Sequence, residues 1–349
     1  MKANRKKKLK IFLIIIATCL ISVSIAGHKF YSKIYSPNVA VGKNKYLFIP
    51  TGADYLQVTD SLTANNFIID KESFDWVAQK KKYPQLIKPG RYELKDGMSN
   101  NELINMLRIG NQKHIDLTFN NVRTIEQLAG KISSQIEADS VSLVSMLKDK
   151  NFIQETGFDK YNILSMFLPD TYKFKWNTSS QEFLTLMQKE YDKFWNEQRL
   201  SQAEKIGLSK IEVSVLASIV QAEQAIHNEE KKIIAGLYIN RLNLGMPLES
   251  DPTLVFASGD FEKKRVLNSD KEIDSPYNTY KNTGLPPGPI NLPEKTSINA
   301  VLEYQKNDYI FMCAKEDFSG FHNFSKNLEQ HNHYARLYQN ALNNRKIYK

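Results

Sequence analysis

Glu223 stands within SKIEVSVLASIVQAEQAIHNEE, a run rich in apolar side chains. At about 100° per residue, a helix through this run places Glu223 in the arc of Val215, Leu216, Ile219 and Val220, with Ile226 beside it. Gln221 falls instead on the side of Ser214 and Ser218. Taking a carboxyl group out of water disfavours its charged form and raises its pKa. A Glu so placed can hold a proton near neutral pH and deliver it, which is what a general acid in glycoside cleavage must do. The pattern fits equally a Glu that pairs with an Arg or Lys from elsewhere, or one that bends outward at the helix end. Periodicity leaves these readings open.

The helix that positions this acid starts at Ser209 and Glu212, which have the spacing of a capping box. Ser99 with Glu102 and Thr124 with Gln127 repeat that spacing. Short strands are expected at YLFIP (Tyr46 to Pro50), GRYEL (Gly90 to Leu94) and Ile115 to Phe119. Tyr55, Val58 and Leu62 recur at helical spacing, as do Leu103, Met106 and Leu107. FLPDTYKF (167–174) reads as a proline-punctuated loop and QEFLTLMQKEYDKFW as an amphipathic helix, while the chain after residue 250 is loop-rich and aromatic. The expected fold class is α+β, with a small module at 46–112 and a larger mixed α+β domain at 113–349, helical in its middle.

Charge and hydropathy place the rest. The chain has 349 residues and a formal charge of +9. Six of its basic residues (Lys2, Arg5, Lys6, Lys7, Lys8, Lys10) lie in residues 1–10, a basic tail without an acid. The remainder is nearly balanced and carries no basic stripe with interleaved aromatics, which argues against a nucleic-acid partner. Residues 11–27, IFLIIIATCLISVSIAG, are free of charge and long enough for a transmembrane helix. Ser24-Ile25-Ala26 also fits a signal-peptide cleavage site. As an uncleaved anchor, the span would keep the basic N-terminus in the cytoplasm and export the body, so that the working domain faces the cell envelope. Residues 28–45 read as a polar linker. Cys19 and Cys313 cannot bridge across a membrane, so the exported body relies on its core rather than on disulfides.

Beyond Glu223 the chain reads INRL (239–242), SDPT (250–253), SPYNTY (275–280), GLPPGPI (284–290) and GFHNF (320–324). With FLPDTY (167–172), these segments in this order resemble the endolytic murein transglycosylase family, MltG/YceG-like. The resemblance implies a single membrane span, a LysM-like α+β module at 46–112 and a YceG-like catalytic domain at 113–349. It implies a lyase without cofactor or metal, which cuts the MurNAc-GlcNAc bond of nascent peptidoglycan strands to leave 1,6-anhydroMurNAc ends and helps terminate strand elongation. Cell-wall synthases or division proteins would be its partners, beside the glycan strands. The family shows two acids in an E-x-E pattern where this chain has Gln221 and Glu223. The second acid is the catalytic one in that pattern, and this is the position that the helical wheel turns inward.

Around Glu223, Asn240 is expected to meet acetamido groups, and Arg241 to do so or to pair with an acid. Tyr277 and Tyr280 offer faces for sugar rings with Asn278 between them, His322 orders the cleft, and the LPPGP turn walls it. Each has a structural alternative: Asn240 and Arg241 as caps before Gly245, the tyrosines as surface fillers, His227 as a helix-end residue. Asp251, before a proline, reads as a turn-former. His322, His331 and His333 have no zinc spacing. The competing readings are a non-catalytic envelope glycan-binding or scaffold protein, and a muramidase that admits water to leave reducing ends.

Overall fold

The computed structural model describes residues 2–43, 45–263 and 265–345, with side chains from Lys6 onward. Met1, the Lys2 and Arg5 side chains of the basic tail, and the last four residues of the larger expected domain lie outside the described residues. The protein is α+β, with fourteen α-helices among the described residues and only short strands. It divides into two compact units: unit 1 takes the chain up to Asp116 together with Lys173–Thr178, and unit 2 takes the rest.

Unit 1 opens with α1 (Lys2–Tyr35), long and apolar enough from Lys6 to Tyr35 to cross a membrane. β1 (Tyr46–Ile49), α2 (Tyr55–Ala64), α3 (Lys71–Lys80), β2 (Gly90–Glu93) and α4 (Asn100–Ile109) follow. β1 and β2 pair antiparallel, Tyr46 opposite Glu93 and Ile49 opposite Gly90. Alternation along β1 sends Leu47 and Ile49 inward, where they meet Val58, Leu62, Phe74, Val77, Leu103 and Leu107. The Ser99 and Glu102 capping box closes reciprocally at the start of α4. α3 had no counterpart among the expected elements; Asp70 caps it by accepting from the Ser73 N–H.

Residues 28–45 are not a plain polar linker. α1 continues unbroken to Tyr35, and the segment after it is bonded into unit 1. The Asn38 and Val39 N–H groups both donate to Met98 O (2.9 and 3.0 Å), and Val39 is buried. Turn-prone composition concealed this because these bonds lie on backbone groups, whose partners are far away in sequence.

β3 (Ile115–Thr118) and β4 (Thr171–Phe174) are the strands along which the chain passes from one unit to the other. Unit 2 carries α5 (Ile125–Ser133), α6 (Ser140–Lys148), α7 (Lys150–Thr156), α8 (Ser180–Phe194), α9 (Glu197–Lys205) and α10 (Lys210–Glu223). α11 (Asn228–Asn243), α12 (Asp251–Ser258), α13 (Lys295–Leu302), β5 (Phe311–Ala314), β6 (His322–Ser325) and α14 (Leu328–Asn344) complete it. α10, opened by the Ser209 and Glu212 capping box, is the central helix: every residue from Val213 to Val220 is buried, with α11, α12 and α13 packed against it. The expected polar arc is therefore internal too. Ser218 Oγ accepts from Ile290 N at 3.0 Å, and Gln221 bonds to the segment before α13. A helix covered on all sides loses the contrast that amphipathicity reads. α10 also ends at Glu223, capped by Gln224, so Ile226 lies outside it and is exposed.

The LPPGP turn is packed inside unit 2. A Cβ on Gly288 would lie 1.9 Å from Tyr161 O, so the glycine permits close backbone approach. The loop-rich region after residue 250 contains the β5–β6 hairpin, with Ala314 opposite His322, and a 17-residue α14 resting on it.

Candidate active site

Glu223 is the last residue of α10, where unpaired helix carbonyls already disfavour negative charge. Its Oε1 accepts two hydrogen bonds, from Tyr238 Oη at 2.7 Å and from Ser250 Oγ at 2.6 Å. Among the described residues no donor reaches Oε2. The carboxyl group forms part of the wall of a cavity of about 470 Å³ within unit 2. Burial pushes its pKa above the usual carboxylate value, the bonds from Ser250 and Tyr238 pull it back, and the nearby Asp251 charge pushes it further up. Burial and the Glu223 charge likewise hold the Tyr238 phenol far above its usual value, so it remains a donor.

Three separate elements bring these groups together. α11 supplies Tyr238. Ser250 stands at the N-cap of α12, yet its side chain makes no cap bond and turns to Glu223 instead. Thr279 fixes that choice: its Oγ1 accepts from Ser250 N at 3.0 Å, and its carbonyl accepts from Glu249 N. Glu249 has a positive φ of 52°, a left-handed turn that precedes Ser250, whose hydroxyl reaches Glu223. Tyr280 then donates to Asp251 Oδ1 at 2.6 Å, with the Lys271 ammonium 4.7 Å from its ring centre. From β6, His322 Nδ1 lies 2.7 Å from Glu230 Oε2, and the His322 backbone N–H donates to Glu230 Oε1. Glu230 is only 3% exposed and also accepts from Gln224 Nε2, so the imidazole is held from behind.

Of the residues singled out in sequence, Glu223, Arg241, Tyr280 and His322 line the cavity; Asn240, Tyr277 and Asn278 do not. Asn240 donates to Asn307 O and Tyr309 O at 2.9 Å each, tying α11 to the strand approach. Asn278 is fully buried and donates to Lys271 O and Ile273 O, which shapes the loop beneath Tyr280. The Tyr277 ring packs on Phe256, with centroids 4.6 Å apart. Arg241 reaches the wall, but its guanidinium donates to Pro247 O, Ile310 O and Glu249. In Asn240, Asn278 and Arg241 a side chain with donors to spare satisfies backbone carbonyls first, because buried carbonyls need partners.

Tyr238, Ser250 and Lys271 are cavity or carboxyl neighbours that sequence reasoning did not assign, and Asp251, read as a turn-former, also lines the cavity. Ser before Asp-Pro is a helix-start signal that marks Ser250 as special; nothing local marks Tyr238. Gln221 donates to Asn291 Oδ1 and Leu292 O and accepts from Glu294 N, so this neighbour of Glu223 serves packing. His331 stacks on Phe311 at the cavity wall, and His227 stacks on Phe321. Among the described residues no group of three or more His, Cys, Asp or Glu side chains is placed to hold a metal ion.

Fold and site together define an α+β protein with an N-terminal apolar helix and a protonatable carboxyl group facing a polar cavity. The YceG-like family model matches residues 47–337, and the chain belongs to that family. It is 30% identical to the endolytic murein transglycosylase of Bacillus subtilis (strain 168), over 84% of this chain and 85% of the relative. Two relatives of the same name from Streptococcus pneumoniae are 27% identical over 87% of this chain, which spans 61% of their length. A crystal structure of a yceG-like protein from Listeria monocytogenes superposes with a TM-score of 0.57 at 29% identity, covering 82% of this chain and 97% of that one.

Proposed function

We propose that the protein is an endolytic peptidoglycan transglycosylase, a lyase that cuts glycan strands internally with Glu223 as its single acid and base. The observation that carries this reading is the one-sided bonding of the carboxyl group. Tyr238 and Ser250 both hold Oε1, which leaves Oε2 as the oxygen that carries the proton into the cavity. Glu223 gives that proton to the oxygen of the breaking MurNAc-GlcNAc bond. The C6 hydroxyl of the same MurNAc then attacks its own anomeric carbon and surrenders its proton to Oε2. The MurNAc unit closes as a 1,6-anhydro end, the GlcNAc leaves with a new hydroxyl, and Glu223 is restored. An internal nucleophile has a high effective concentration, so no second carboxylate is needed to activate water.

In this reading Arg241, Tyr280 and His322 flank the sugar at the cavity wall, while Asn240, Tyr277 and Asn278 shape the loops behind it. α1 spans the cytoplasmic membrane with the N-terminus inside, which puts residues 113–349, the catalytic domain, on the outer face. The order β1-α2-α3-β2 around an antiparallel strand pair supports a LysM-like module at 46–112, and cell-wall synthases or division proteins would share the substrate. The test is Glu223→Gln incubated with sacculi, with the released sugar ends weighed by mass spectrometry. The wild type should release 1,6-anhydro ends and the variant none. Reducing ends from the wild type would instead establish a muramidase, and undiminished release by the variant would remove Glu223 from the reaction.

A further inference from the structure

We propose that the α3 face of unit 1 around Trp76 docks on anionic phospholipid headgroups of the membrane that α1 crosses; this rests on the spanning reading of α1. The mounting is rigid. Asn100 Nδ2 donates to Lys33 O at 2.9 Å, Asn38 Nδ2 donates to Asn100 Oδ1 at 2.7 Å, and Ile34 packs on the apolar core. The helix and the module are therefore one body with no flexible joint between them.

Two contacts fix how α3 runs along α1. The Phe30 and Trp76 ring centroids are 5.5 Å apart, whereas Asn38 exchanges hydrogen bonds with the Asp70 backbone at 2.9 and 2.7 Å. The helices are thus antiparallel, and moving from Trp76 to Lys80 moves about 6 Å back toward the membrane. Lys80 comes level with Ala26, at the end of the charge-free span. The headgroup layer on each side of the hydrocarbon is roughly 5–8 Å thick, so Trp76, Phe30 and the last turn of α3 fall within it. Phe30 is 53% exposed despite its contact with Trp76, and aromatic rings favour that depth.

Charge is sorted along the same axis. The acids of α3 and its cap, Asp70, Glu72 and Asp75, lie at the end away from the membrane, and Asp75 is taken up by Lys71 and Tyr55. At the near end stand Lys80, Lys81 and Lys82. Lys81 is occupied by Asn101 and Asn105. Lys80 and Lys33 lie 5.8 and 6.0 Å from the Trp76 ring centre, and neither they nor Lys82 has an ion-pair partner among the described residues. Unpaired lysines beside an aromatic ring at headgroup depth fit phosphate groups of lipid, and each is worth about a fivefold preference near an anionic leaflet.

The test uses the full chain reconstituted in mixed vesicles of phosphatidylcholine and phosphatidylglycerol, in which either the first or the second lipid is brominated near its headgroup. Trp76→Phe subtracts the emission of Trp176 and Trp195. The Trp76 emission should be quenched much more strongly by the brominated phosphatidylglycerol, and raised salt should narrow the difference. In Lys80→Gln/Lys82→Gln, exposed positions whose loss leaves the core intact, the preference for phosphatidylglycerol beside Trp76 should fall about 25-fold. Equal quenching by the two brominated lipids, or none, would overturn the proposal while leaving glycan cleavage untouched. Release of the chain by alkaline carbonate would overturn the spanning reading and the docking with it.

Discussion

Asn38 and Asn100 in unit 1 and Glu223 and Glu230 in unit 2 are polar side chains taken from water to very different ends. The two amides are neutral, at most 4% exposed, and bonded to each other and to the ends of α1, α3 and α4. Their desolvation is offset by partners, and what they contribute is a joint. Glu230 is likewise satisfied, by His322 and Gln224. Glu223 alone is under-bonded: both donors reach one oxygen, the other faces a cavity, and its pKa rises as a result. Full bonding leaves Glu230 a structural group, whereas an under-bonded acid with a raised pKa that faces a cavity is placed to exchange a proton.

Removing the reactive group should have the largest effect. Glu223→Gln should reduce 1,6-anhydro product by about 10²- to 10⁴-fold without lowering the unfolding temperature, since a partly buried acid is replaced by an amide of the same shape. A large loss of stability would mean that Glu223 is structural after all. Asn100→Ala should do the reverse: it strands Asn38 and should cost about 2 kcal/mol in denaturant unfolding, with turnover per folded molecule unchanged. A finer test is Tyr238→Phe. It deletes one of two bonds that favour the carboxylate, so the pKa of Glu223 should climb further. The alkaline limb of the pH–rate profile should shift upward, with about a tenfold loss in rate, and Ser250→Ala should move the limb the same way. The smallest effect concerns stability. Because the folded pKa lies above the ordinary 4.5, the folded state holds the proton longer than the unfolded chain. The stability that Glu223 contributes is full below 4.5 and lost as pH rises through the folded pKa, by at most about 1.4 kcal/mol per pH unit. Glu223→Gln should lack that slope in paired melting curves.

Much of this contrast was visible along the chain, and its limits are instructive. The capping boxes at Ser99/Glu102 and Ser209/Glu212 set helix starts that the structure reproduces, because a cap is made by residues three apart. The inward turn of Glu223 followed from the helical period for the same reason. α3 and α14 escaped notice. α3 sits between polar stretches, and α14 lies in the stretch after residue 250 that reads as loop-rich, although its Tyr334, Leu337, Tyr338 and Ala341 recur at helical spacing. Asn240 and Asn278 have the side chains of ligand-binding residues but are consumed by carbonyls up to 69 residues away.

The sequence by itself determined the apolar first helix, the α+β character and the acid within a largely apolar helix, since each depends on composition or on contacts within a few residues. Only the tertiary structure decided which neighbours that acid has. Tyr238 and Ser250 are 15 and 27 residues from Glu223, and no local period links them to it. They meet on one carboxylate oxygen because α11 packs on α10 and Thr279 holds the turn before α12, and that convergence sets which oxygen is left to carry a proton.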